Sequence, residues 1–347
     1  MTQTNYDAKA YANKNSNYDK RKKLRRQKAR RRKRIRQTIS ISIFALILIF
    51  IFSKIFSAIK KPKDEISPAL MWYYANEINK DRPRKYYYDP AYISNVALDP
   101  LLRMEDEFIV KGSNHLKKAD KYAYDAKEIR HYITKNNYGG DKKIVFLTFD
   151  DGPNNSITPQ VLDILKKEDV RATFFLVGKS IGDKTAGQVR QILRNGNSIA
   201  THSFSHDYDY LYPGRVVSPE RVYEEITKTN ERLKNILGPD FHSSVFRYPG
   251  GEMSWQNTEA SNALLESKGI HWIDWNSLVG DAEKKSVRPT TVNGFVSYLD
   301  KSLNENKNTK IAVVLAHDAR NKQLTADSLT SVIKYFKDRG YEFGVLK

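Results

Sequence analysis

From residue 143 onward, short apolar runs alternate with longer stretches whose apolar residues recur at helical spacing. The runs are "KIVFLTF" (143–149), "RATFFLVG" (171–178), "SIAT" (198–201), "SSVFR" (243–247), "IHWIDW" (270–275), "IAVVLA" (311–316) and "EFGVL" (342–346). They are rich in β-branched and aromatic residues and are bounded by turn residues, so each reads as a strand. Helices are predicted near 157–168, 186–195, 218–237, 257–268, 291–304 and 325–338. Ser218 followed by Pro219 is a helix start, and Gly269 after "NALLESK" is a helix stop. Continuously apolar strands in strict alternation with helices predict an α/β fold, a parallel sheet with helices outside. Seven strands suggest a closed or nearly closed (β/α) barrel. No fixed-period repeat is present.

Upstream the pattern is different. Residues 1–36 hold 15 Lys and Arg, opposed only by Asp7 and Asp19, so most of the formal net charge of +19 belongs to this tail. Its polar, basic composition predicts disorder. "QTISISIFALILIFIFS" (37–53) follows without a charge. As a helix it would be roughly 25 Å long, near the lower limit for a membrane span, and snorkelling of Lys54 extends it to residue 56. The cationic flank then assigns 1–36 to the cytoplasm and everything after the span to the outside: a single-pass cell-membrane protein whose alternating region is extracellular. No small-x-small cleavage pattern follows the run, which favours an uncleaved signal-anchor over a signal peptide. The tail's charge also suits anionic lipid or nucleic acid, but a topology signal suffices, and no nucleic-acid partner is expected. Residues 57–141, with "ALMWYYANEI" and "KYYYDPAY", read as a small folded spacer or as an extension packed on the domain that follows.

Cysteine is absent, so thiolate chemistry and cysteine metal sites are excluded. Chemistry in such a barrel gathers at the carboxyl ends of the strands. Asp150 and Asp151 follow the first strand, His202 the third, and His317 the sixth; Arg247 ends the fourth and Asp274 lies at the end of the fifth. His202 and His206 in "THSFSH" would share one face if that segment were a helical turn. With a strand-end aspartate they form a two-His, one-Asp set with positions open to water and substrate. One acid of the Asp150-Asp151 pair would then be held ionised by the metal and the other left as a general base, with Gly152-Pro153 breaking the strand so that both side chains enter one mouth. His115, His131, His242 and His271 read as surface or packing residues.

The motifs "TFDDGP", "THSFSH", "RYPGG" and "VVLAH", in this order, resemble the polysaccharide deacetylases, the NodB-homology or carbohydrate esterase family 4 domain. The resemblance covers roughly 142–347. It implies a distorted (β/α)7-type barrel and metal-dependent removal of acetyl groups from sugar polymers. Carried over residue by residue, it implies Asp150 as general base and Asp151, His202 and His206 as metal ligands. It further implies Arg247 as the partner of Asp150, Tyr248 and Pro249 as groove-shaping residues, and the Gly250 N–H as oxyanion donor. An aromatic residue usually stands at the Gly250 position, so glycine implies a more open groove. Leu315 would line the acetyl pocket and His317 would be the general acid. Asp274, beside Trp275, ranks ahead of Asp281 as the carboxylate that tunes His317. Zinc suits the donor set, and cobalt or nickel would also fit. With the outside topology, the leading substrate is peptidoglycan N-acetylglucosamine and the expected state a monomer. The alternatives are a deacetylase or acetyl esterase acting on another glycan (chitin oligomers, an exopolysaccharide, glycoprotein sugars) or a catalytically silent wall-binding protein.

Overall fold

The computed structural model describes residues 108–305 and 310–347. The basic tail, the expected span 37–56 and residues 57–107 lie outside the described residues. Among the described residues no helix is long and apolar enough to cross a membrane.

Strand β1 (Ala123–Tyr124) and helix α1 (Ala126–Lys135) come first. The alternating part follows: β2 (Lys143–Asp150), α2 (Ile157–Lys167), β3 (Ala172–Leu176), α3 (Ala186–Arg194), β4 (Ser198–Thr201), α4 (Tyr208–Leu211), α5 (Pro219–Leu237), β5 (Val245–Phe246), α6 (Thr258–Ser267), β6 (His271–Trp272), β7 (Ser277–Leu278), α7 (Val292–Glu305), β8 (Ile311–His317), α8 (Gln323–Lys337), β9 (Tyr341–Phe343) and β10 (Val345–Leu346). Pro219 opens α5 as predicted, and Gly269 adopts φ +69° just past α6.

The main sheet is parallel and runs β6-β5-β4-β3-β2-β8-β7, with β9 also on β2. Its two ends belong to one continuous piece of chain. The Ile273 N–H donates to the Phe246 carbonyl on one side, and the Asn276 N–H to the Val313 carbonyl on the other. Residues 271–279 thus bend from the β5 edge to the β8 edge of the curled sheet.

Alternation along β2 sorts its side chains onto two faces. Val145, Leu147 and Phe149 pack outward with Val161, Leu165 and Leu329 of the helices. Ile144 and Phe146 join Phe175, Val245, Ile273 and Val313 in a second cluster, the barrel interior. Both faces are buried, which is why β2 is a continuous apolar run rather than an alternating one. Ala126 and Ile129 of α1 belong to the interior cluster, and β1 pairs with β10. Strand β1 and helix α1, ahead of residue 142, therefore pack on the alternating part of the fold.

Register positions the chemistry. Asp150 pairs with His317, Leu176 with Thr201, and Thr201 with Phe246. The next residue on each of β2, β4 and β5 is Asp151, His202 and Arg247, so three separate strand ends deliver these side chains to one rim.

Candidate active site

Asp150 continues the inward side of β2 above Thr148 and is 2% exposed. Arg247, fully buried, projects from the end of β5. Its Nη1 donates to Asp150 Oδ1 at 2.8 Å and to Thr148 Oγ1 at 2.7 Å. Its Nε donates to the Ile273 carbonyl and its Nη2 to the Asp274 carbonyl, while Phe175 lies against the guanidinium with the ring centre 4.0 Å away. A buried guanidinium is tolerable only when its donors are matched this way. The pairing also holds Asp150 so that Oδ2 faces the mouth, 3.7 Å from His202 Nε2.

Asp151 adopts φ +78°. The strand therefore breaks at Asp151 itself, one residue earlier than Gly152-Pro153 suggested, and this lets neighbouring carboxylates enter one site. Its Oδ1 lies 3.3 Å from His206 Nε2 and 3.8 Å from His202 Nε2. Ligand atoms of Asp151, His202 and His206 all fall within 4.8 Å of one another. The histidines are not on a helical turn. Ser203 and His206 take φ of +60° and +51°, and the resulting loop brings the ring centres to 5.1 Å. The Ser203 hydroxyl accepts from the His206 N–H, and Glu225 of α5 accepts from the Phe204 and Ser205 N–H groups.

His202 Nδ1 donates to the Arg247 carbonyl at 2.9 Å, which leaves Nε2 as the lone-pair nitrogen facing the acids. Burial, reinforced by His206, pushes its pKa down to about 3, so the imidazole is neutral. A neutral imidazole, a second imidazole and a carboxylate converging with one side open fit a divalent cation.

At the neighbouring strand end, Asp281 Oδ1 accepts from His317 Nδ1, and Asp281 Oδ2 accepts from the His317 backbone N–H. Thr325 and Lys322 brace Asp281 through its other oxygen and its carbonyl. Burial alone would lower the His317 pKa; the Asp281 bond and charge, helped by Asp150 and Asp151, outweigh it and raise the value. This corrects the ranking made from sequence. Asp274 instead accepts the Glu252 N–H on both oxygens at 2.9 and 3.1 Å, and burial raises its pKa to about 6. Asp281 is the partner of His317.

The groove also differs from expectation. Tyr248 is buried among Phe246, Leu265 and Trp272, with its hydroxyl on Ser261, so it packs the α5–α6 layer rather than the groove. Pro249 is buried and its carbonyl holds Trp255 Nε1. Gly250 is exposed with φ +82°, and a Cβ there would lie 3.2 Å from Trp255 and 3.3 Å from the Tyr208 hydroxyl. The wall that glycine lacks is supplied by these two rings, which corrects the open-groove expectation. Leu315 is buried beside Thr148, and Trp275 flanks Arg247.

Asp318 escaped the sequence reading although it is next to His317. It is fully buried, its N–H donates to the Asp150 carbonyl, and its Oδ2 accepts from Thr158. Burial, with Asp151 and Asp150 nearby, raises its pKa to about 7. A Cβ on Gly152 would lie 2.6 Å from its carboxylate, so this turn must be glycine. An acid directly after a strand-end histidine was the available signal.

The polysaccharide deacetylase family model matches residues 137–270. The solved structure of a Streptococcus mutans CE4 esterase is 44% identical, with a TM-score of 0.66, over 70% of this chain and 99% of that one. The chain belongs to the polysaccharide deacetylase family. Among curated members of this family, a peptidoglycan-N-acetylglucosamine deacetylase of Listeria monocytogenes is 30% identical over 58% of this chain, and the match spans only 37% of that protein. One of Bacillus cereus with the same name is 28% identical over 59% of this chain and 68% of its own length.

Proposed function

We propose that this chain is a metal-dependent N-deacetylase of cell-wall glycan, acting on peptidoglycan N-acetylglucosamine. The observation that carries this reading is the convergence of two units at neighbouring strand ends: Asp150 held by Arg247 beside the Asp151-His202-His206 donors, and His317, the register partner of Asp150, held by Asp281. Peptidoglycan is favoured by the named relatives and by the basic tail and uncharged run, which support a signal-anchor with the catalytic domain outside.

Asp151, His202 and His206 would hold the cation; zinc suits the donors, and cobalt or nickel would fit them. When bound, it supplies Lewis acidity toward the acetyl carbonyl and toward water. Asp150, with Arg247 fixing one oxygen, accepts the proton of the attacking water through the other. The N–H of Gly250, an exposed residue, would be the protein donor to the developing oxyanion. His317, kept protonated by Asp281, delivers a proton to the sugar nitrogen as the C–N bond breaks. Leu315 offers an apolar surface to the acetyl methyl, and Tyr208, Trp255 and Trp275 bound the groove.

The deciding experiment is acetate release by the full-length chain from purified peptidoglycan and from chitin oligomers, before and after chelation and zinc return. Release from peptidoglycan, abolished by chelation and restored by zinc, is the expected result. A chain that releases no acetate from either polymer would overturn the reading.

A further inference from the structure

We propose that the cleft leading away from Asp151 is a subsite for an anionic substituent on the glycan, a carboxylate or phosphate ester on a sugar next to the one deacetylated. This rests on the deacetylase reading above and narrows its substrate class. The cleft has a volume of about 730 Å3 and runs from Asp151 past Lys179, Asp183 and Lys184 to Arg232 and Arg320. Lys179, Lys184, Arg232 and Arg320 are all exposed.

The four cations come from separate parts of the chain. Lys179 and Lys184 stand on the β3–α3 connection, Arg232 on α5, and Arg320 on the loop after His317. None is neutralised by a described carboxylate. Lys179 donates to the Ser205 carbonyl and Arg232 to the Ile181 carbonyl, and both acceptors are uncharged. Lys184 and Arg320 form no hydrogen bond or ion pair with any described residue. Asp151, committed to the donor set, and Asp183 are the acids of the cleft. Like charges gathered from three segments repel one another, and an anion seated among them relieves that repulsion.

The placement also ties charge recognition to chemistry. Lys179 is fastened to Ser205, within the loop that carries His202 and His206. Arg320 is three residues beyond His317. A charged substituent held by this wall would therefore be set at a fixed distance from both halves of the reaction centre and would register the polymer along the groove. A neutral oligomer gains nothing from the wall. Single exposed ion pairs contribute little, so the effect should come from several cations together.

The test uses the full-length chain and four fluorescent β-1,4-linked N-acetylglucosamine tetramers: unmodified, carrying lactyl ether carboxylates on alternate residues, carrying their methyl esters, and carrying phosphate esters. Affinity is read by anisotropy, and acetate release is measured on the same compounds. Wild type should bind the carboxylate tetramer about tenfold more tightly than its methyl ester. The Lys184→Gln, Arg320→Gln double variant should lose most of that ratio while binding the unmodified tetramer as before. Whichever charged tetramer binds more tightly identifies the anion. An unchanged ratio in the double variant, or no preference for charge in wild type, overturns the subsite. Acetate release without charge preference removes the subsite alone; charge-dependent binding without acetate release from any tetramer removes the deacetylase reading alone.

Discussion

Asp281 grips His317 twice, one oxygen on the ring Nδ1 and the other on the backbone N–H, each at 2.8 Å. The grip raises the His317 pKa and lowers that of Asp281, in spite of burial acting the other way on each. A raised histidine contributes stability that is present below its unfolded pKa and lost as pH rises through the folded value. A lowered aspartate contributes stability present above its unfolded pKa and lost as pH falls through the folded value. The pair therefore stabilises the fold most between about pH 4 and 6.5. Activity should follow the acid form of His317, so kcat/KM falls as pH rises through its raised pKa. Asp281→Asn should move that alkaline limb to lower pH, and Asp274→Asn should leave its position unchanged. A pH profile of the two variants with the limb moved by Asp274→Asn alone would return the pairing to Asp274.

The two adjacent acids should separate experimentally. Asp150→Asn should lower turnover by about 10²- to 10⁴-fold while the bound metal stays near one equivalent. It also leaves the buried Arg247 without its counter-charge, which should cost about 3 kcal/mol of stability. His206→Ala should lose the metal. Elemental analysis and a denaturation curve on each variant check both halves; full metal content in a His202→Ala, His206→Ala double variant would remove the site.

The legible parts of this molecule were those governed by local physics. The apolar run at 143–149 announced a strand buried on both faces, and Ser218-Pro219 and Gly269 announced helix ends. Asp150, Asp151, His202, Arg247 and His317 converge because parallel register aligns strand ends, and that much follows from topology. What failed depended on non-helical backbone or on distant partners. His202 and His206 meet through left-handed residues, not a helical turn. Asp274 lies at a strand end, yet the bend at 273–276 turns it toward Glu252 while Asp281 continues to His317. Tyr248 sits in a motif but follows the inward-facing Arg247, so alternation buries it on the helix side. The partnership of Asp318 with Thr158 spans 160 positions and leaves no local mark.

Gly250→Tyr should damage the protein rather than improve its grip on substrate. A side chain at φ +82° costs roughly 1–2 kcal/mol and would also meet Trp255 and Tyr208. The unfolding temperature should drop by several degrees, and kcat should collapse as the N–H at this turn is displaced. Steady-state kinetics with a lower KM and intact kcat would restore the open-groove reading.

The sequence of 1–53 leads us to propose that the C-terminus faces the outside. A reporter that folds only outside the cytoplasm, fused after Lys347, should be active. Activity confined to a cytoplasmic reporter at the same position would contradict the charge argument.

Because a single bent segment joins the two edges of the curled sheet, the molecule has a seam, and the seam carries cargo. Ile273 and Asp274 supply the carbonyls that hold Arg247, and two residues past Val279 the same segment delivers Asp281 to His317. Parting of the seam would take two carbonyl acceptors from the guanidinium behind the base and displace the segment that carries the carboxylate behind the acid in one event. Both proton-transfer units would then weaken together while the strands from β2 to β4 were still paired.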